Sequence, residues 1–138
     1  MRAQGSVELI IILSGVMLIL LVITSTAYEQ LASYQRGMEI GWAQVGVNEL
    51  ADAAARVYSS GPGSSERVFL NMPENLEPSR IFIRERTINI GVRTSLGVRD
   101  INARTSAPVE GSLPAKSGGF WMDVLAYEGK VGISPESA

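Results

Sequence analysis

The chain has 138 residues, a net charge of −2 and 46% hydrophobic residues, enough for one compact domain with an accessory segment. With no Cys and no His, it has no disulfide framework, thiolate zinc site, Cys nucleophile or imidazole base. A near-neutral balance, with Arg scattered among Asp and Glu, excludes an electrostatic nucleic-acid surface.

In chain order, the polar start Met1-Arg2-Ala3-Gln4-Gly5-Ser6 leads into a stretch from Leu9 through Tyr28 that carries no charge. Its apolar residues include Leu9, Ile12, Leu13, Val16 and Leu20. About 20 such residues in a helix cover roughly 30 Å, the hydrocarbon thickness of a bilayer. Apolar residues then recur at helical spacing: Leu31, Tyr34, Met38, Trp42 and Val45, followed by Val47, Leu50, Ala54 and Val57. Glu29, Arg36, Glu39, Glu49, Asp52 and Arg56 are interspersed, so this half is amphipathic where the first is apolar all round. No Pro occurs before Pro62, which allows one helix of about 53 residues, from about Ser6 to Tyr58. Gly37, Gly41 and Gly46 fit either close packing or a bend. Ser59-Ser60-Gly61-Pro62-Gly63-Ser64-Ser65 stops the helix and gives a hinge.

Beyond the hinge the period changes to two. Val68, Leu70 and Met72 alternate with Arg67, Phe69 and Asn71; Ile88, Ile90 and Val92 alternate with Thr87, Asn89 and Gly91. Ile81 and Ile83, Val98–Ala103, and Phe120–Tyr127 are further strands. Glu128-Gly129 reads as a turn into Lys130–Ile133. Five or six short antiparallel strands result, and Ser134–Ala138 reads as a disordered tail. A sheet of this size is marginal alone. Packing on the Val47–Leu50–Ala54–Val57 stripe would complete a core. The expected fold class is α+β, with a long N-terminal helix against a small antiparallel β-rich head. Its segments are a helix at 4–58, including an apolar span at 9–28, a linker at 59–66 and a head at 67–138.

Gln4-Gly5-Ser6-Val7-Glu8 running straight into an apolar helix resembles the class III signal peptide of archaeal type IV pilin-like proteins. The family pattern is Gln-x-Ser-x-Glu-x-x-x-Leu; Gln4, Ser6 and Glu8 match, and Ile12 stands where the family has Leu. The resemblance implies cleavage by a prepilin peptidase between Ala3 and Gln4, loss of the leader 1–3, and retention of the apolar helix. It also implies that Glu8 pairs with the N-terminus of a neighbouring subunit. Leu9, Ile12, Leu13, Val16 and Leu20 then join the core of a helical homo-oligomer built by a pilus assembly machinery. The precursor would sit in the cell membrane and the mature filament outside the cell, with adhesion as one role. Without a neighbour, Glu8 could instead interact with the positive end of the helix macrodipole or stay at the headgroup level.

Two other readings of the same segment are a single-pass anchor for an extracellular binding domain and a conventional signal cleaved after Ala27. Ser14-Gly15 and Ser25 offer small positions for helix packing or are ordinary residues of a span. Tyr34 and Trp42 are expected to pack between subunits or under the head, and Trp121 in the core or at a subunit contact. The arginines at 80, 84, 86, 93, 99 and 104 are expected to pair with Glu77, Glu85 and Asp100. Asp100, Asp123 and Glu128 are isolated carboxylates, and Gly61-Pro62-Gly63 lacks the Lys and helix of a phosphate loop. No catalytic residue, metal ligand or cofactor site is expected. Asn48, Asn71, Asn75, Asn89 and Asn102 all fail the N-glycosylation pattern.

Overall fold

A computed structural model describes residues 2–136. Met1 of the expected leader and Ser137 and Ala138 of the expected tail lie outside the described residues. The elements are α1 (Arg2–Ser60), β1 (Ser65–Met72), β2 (Leu76–Arg84), β3 (Thr87–Thr94), β4 (Gly97–Arg104), β5 (Val109–Gly111), β6 (Gly118–Tyr127) and β7 (Lys130–Pro135). The chain divides into two compact units, Met1–Gly37 and Met38–Ala138. The first is wholly helical; the second combines the rest of α1 with all seven strands, the α+β head expected.

The helix ends where its chemistry changes. Gly61 takes φ 100°, its N–H donates to Tyr58 O at 3.3 Å, and Pro62 blocks another turn. Ser59 Oγ and Ser60 Oγ each donate to the carbonyl four residues back. These are second bonds to carbonyls of the helix ladder, so neither hydroxyl is left without a partner.

In the head, residue period decides which side chains are buried. Val68, Leu70 and Met72 of β1 and Met122, Val124 and Ala126 of β6 point inward. Ile88, Ile90 and Val92 of β3 and Ile101 and Ala103 of β4 do the same from a second sheet. One sheet has the order β1-β6-β7-β5, the other β2-β3-β4. The two meet where the Val109 N–H of β5 donates to Glu85 O in the β2–β3 turn at 2.6 Å, while the Thr105 N–H extends the β3–β4 ladder by donating to Arg86 O at 2.9 Å. Their outer strands β1 and β4 are both met by α1. Gly46 faces Leu70 so closely that an added Cβ would lie 2.8 Å from Leu70 Cδ1. Gln44 Nε2 donates to Asn102 O at 3.0 Å. Between these contacts Ala43, Val47, Leu50, Ala54 and Val57 are buried, so the helix stripe forms the third wall of the core. Gly46 is therefore a close-packing position, whereas nothing lies within 4 Å of a Cβ at Gly37 or Gly41.

Several local expectations change. β5 is an additional strand of three residues, too short for period analysis, and it pairs with β7 in parallel. Gly111 takes φ 137° there, and an added Cβ would stand 1.8 Å from Ile133 O. The tail is ordered further than polarity suggested. Ser134 and Pro135 belong to β7, the Glu136 N–H donates to Trp121 O, and Glu136 pairs with Arg67 at 2.9 Å. β2 shifts register against β3 between Glu77 and Phe82. The displaced Arg80 crosses Gly91, its carbonyl accepts from Asn89 Nδ2 at 2.7 Å, and its guanidinium pairs with Asp100 at 2.9 Å.

Arg56 ties α1 to β1 through Glu66, and also reaches Glu49 at 2.6 Å. Its hydrogen bond holds the Glu66 carboxyl below the usual glutamate range, against a smaller opposing effect of burial. Arg93 lowers Glu77 in the same way, with a further hydrogen bond from Ser79. Both values are depressed on folding. Their contribution is present above the ordinary glutamate value of about 4.3 and is lost as pH falls through the lower folded value. Melting of the full-length protein in detergent, followed by near-ultraviolet circular dichroism, should show a falling Tm as pH drops below about 4. Arg56→Met with Arg93→Met should flatten that slope. In the same assay Leu50→Ala, which empties a fully buried site, should cost about 2–5 kcal/mol.

Candidate functional site

The first unit carries the residues singled out for membrane insertion and assembly. Its helix is long and apolar enough to cross a membrane, and the apolar window is not buried. Val7, Leu9 to Leu13 and Val16 to Ile23 are all exposed. Such a surface needs lipid or protein around it, because water solvates it poorly.

Hydroxyl groups within the stretch do not undermine this. Ser14 Oγ donates to Ile10 O at 2.7 Å, Thr24 Oγ1 to Leu20 O at 2.8 Å and Thr26 Oγ1 to Val22 O at 2.9 Å. Each donor is satisfied by the helix's own backbone, which suits an environment without water.

At 3.6 residues per turn, Glu8, Leu9, Ile12, Leu13, Val16 and Leu20 fall within an arc of about 140°. They form one face with a carboxylate at its N-terminal end. Gln4 lies one turn before Glu8, about 40° outside one edge of that arc, and Ser6 lies about 20° outside the other. Ser6 Oγ donates to Arg2 O at 3.2 Å, a bond that spans the Ala3–Gln4 peptide. Ala3 and Gln4 are themselves helical. Because α1 begins at Arg2, Glu8 stands beyond the first turn, which contains no acidic residue. Macrodipole stabilisation fades within that turn, so this account of Glu8 is weaker than the sequence alone suggested.

The head holds features that period analysis missed. Trp42 and Trp121 are about half exposed, so neither is a core residue; Tyr34 in the first unit is exposed as well. Trp121 meets Phe69 edge to face, with ring centres 5.2 Å apart. Phe69 can lie flat because Gly119 is bare beneath it; a Cβ there would fall 2.3 Å from the ring. Trp42, Val45, Gly46, Glu49, Phe69 and Asn71 line a groove beside β1, and Trp42 also borders a second groove with Glu39 and Glu74. An even-odd count places Phe69 and Trp121 on the outer face. Of the two roles expected for Trp121, core or subunit contact, its exposure excludes the core.

Arginine pairing is partial. Arg80 pairs with Asp100 and Arg93 with Glu77, while among the described residues Arg84, Arg86, Arg99 and Arg104 make no ion pair and Glu85 accepts none. Asp123 receives Arg67 at 3.3 Å, and Glu128 lies in the β6–β7 turn. Among the described residues, no group of three or more carboxylates is placed to hold a metal ion.

Comparison with known proteins found no matching family model, no matching curated protein and no matching solved structure.

A charge in the exposed stretch tests its relation to lipid. Ile19→Arg should cost about 2.5–3.5 kcal/mol of insertion at the centre of a span. The protein should then shift from the membrane pellet to the soluble or degraded fraction after carbonate extraction. Arg at Tyr34, outside the uncharged stretch, should leave the pellet fraction unchanged.

Proposed function

We propose that this chain is a structural subunit of an extracellular type IV pilus-like filament. It is made as a membrane-inserted precursor, cut between Ala3 and Gln4 by a prepilin peptidase, and assembled through its apolar helix. The observation that carries this reading is the exposed, uncharged helix surface from Leu9 to Tyr28 with Gln4, Ser6 and Glu8 directly before it. A permanent anchor would need the apolar surface but gains nothing from a carboxylate at its edge. An ionised carboxylate entering an apolar medium costs several kcal/mol unless it is paired. Cleavage before Gln4 creates an amino group one helical turn from Glu8 in sequence. A neighbouring copy, displaced along the axis, can bring its own new amino terminus to that carboxylate.

The peptide to be cut lies in the first turn of α1, so the peptidase works on an end that frays at low cost. Breaking the Ser6 Oγ to Arg2 O bond is part of that opening. After cleavage, lipid solvates the apolar face until neighbouring copies of the same helix replace it. Contacts between identical subunits that are heterologous and do not close generate a helical filament. In this reading the protein is a building element rather than an enzyme, and the head is the surface available for adhesion.

N-terminal sequencing of the mature protein should begin at Gln4. A start at Tyr28 would eliminate the filament reading, and a start at Met1 with no filaments would make the chain a plain anchor. Glu8→Gln and Glu8→Ala should retain membrane insertion and lose most filaments from the sheared surface fraction seen by electron microscopy. Normal filament yield from both variants would remove the assembly role assigned to Glu8.

A further inference from the structure

Resting on that filament reading, we propose that the groove beside Trp42 receives the arginine corner of a second copy of this chain, in a head-to-tail contact between neighbouring heads. The groove combines the exposed face of Trp42 with Glu39 and Glu74, over a floor that includes Met72 and Pro73. Among the described residues, neither glutamate makes an ion pair or a side-chain hydrogen bond. The groove continues along Val45 and Phe69, against which Trp121 stands.

The complementary surface is at the other end of β2. Arg84, Thr87 and Arg104 are directly opposite one another across β2, β3 and β4. Residues in register share a face, and the next row, Ile83, Ile88 and Ala103, is buried. Arg84 and Arg104 therefore point outward together. Arg86 sits in the adjoining turn, where its carbonyl accepts from the Thr105 N–H. The Arg84 guanidinium lies 5.4 Å above the Phe82 ring. None of these three arginines has a carboxylate partner among the described residues, although five other basic side chains do.

Glu74 precedes the first residue of β2, and Arg84 is its last. The acidic groove and the basic corner are thus at opposite ends of one strand and cannot satisfy each other within a head. A second copy can join them. Guanidinium groups stack on an indole face and donate paired N–H bonds to carboxylate oxygens, so Trp42 with Glu39 and Glu74 matches an arginine better than a lysine. Because the two surfaces differ, the contact is heterologous and propagates.

The test uses full-length protein in a cell that processes and assembles it. Glu39→Lys with Glu74→Lys should lower sheared filament yield by about tenfold or more, as should Arg84→Glu with Arg86→Glu and Arg104→Glu. Membrane-bound precursor and the Gln4 start should be unchanged in both. Combining the two sets should restore filaments. In the Cys-free chain, Glu74→Cys together with Arg104→Cys should give a ladder of copies with a bismaleimide cross-linker, and neither alone should. Wild-type filament yield from either charge set, failure of the combined set to recover, or dimers from Glu74→Cys alone would overturn the contact while leaving the filament reading intact. Absence of filaments from the wild-type chain would instead strike the filament reading itself.

Discussion

Burial of one helical stripe is the constraint on which the head depends. Ala43, Val47, Leu50, Ala54 and Val57 leave water only because two sheets present inward faces to them. Neither sheet is self-sufficient. The four-stranded sheet ends at β1 and the three-stranded sheet at β4, and α1 reaches both. Sheets of this size need a second layer, and the helix supplies it along two edges at once. Gly46 is the position that sets the spacing, since any side chain there would displace Leu70.

A single helix thus carries two kinds of surface. Beyond Met38 the stripe of Ala43, Val47, Leu50, Ala54 and Val57 is buried by strands of the same chain, while Trp42 and Val45 stay exposed. Residues from Leu9 to Tyr28 have no polar side from which a stripe could be distinguished, and their apolar groups are exposed. The same backbone hydrogen bonding serves both, and Ser14, Thr24 and Thr26 return their hydroxyls to it. Such a helix keeps its polar groups satisfied in any apolar surroundings.

What could be read in advance follows the same physics. Long periodic segments were legible: α1, and the strands around Val68, Ile88, Phe120 and Val131, each carry enough residues for the period to stand out. The three-residue β5 was not, because its parallel pairing with β7 is a tertiary fact. The ordering of Ser134 to Glu136 depends on Trp121 and Arg67, which are distant in sequence. The alternation along β1 puts Phe69 with Arg67 and Asn71 on the outer face, and the register of β1 against β6 sets Trp121 opposite it. For the N-terminal segment, the residues themselves were legible from the start. The helix adds that Glu8 shares a face with Ile12 and Val16 and lies beyond the first turn.

The placement of β7 has a consequence for the order of synthesis. It lies between β6 and β5, so the larger sheet is completed from the inside by nearly the last described residues. A chain leaving the ribosome exposes the stripe from Ala43 to Val57 long before Lys130–Pro135 can arrive. Until then the helix has only partial cover, and its apolar face is open to chaperones or to other nascent copies. The head therefore matures late, well after the apolar segment ahead of it has left the ribosome and needs cover of its own.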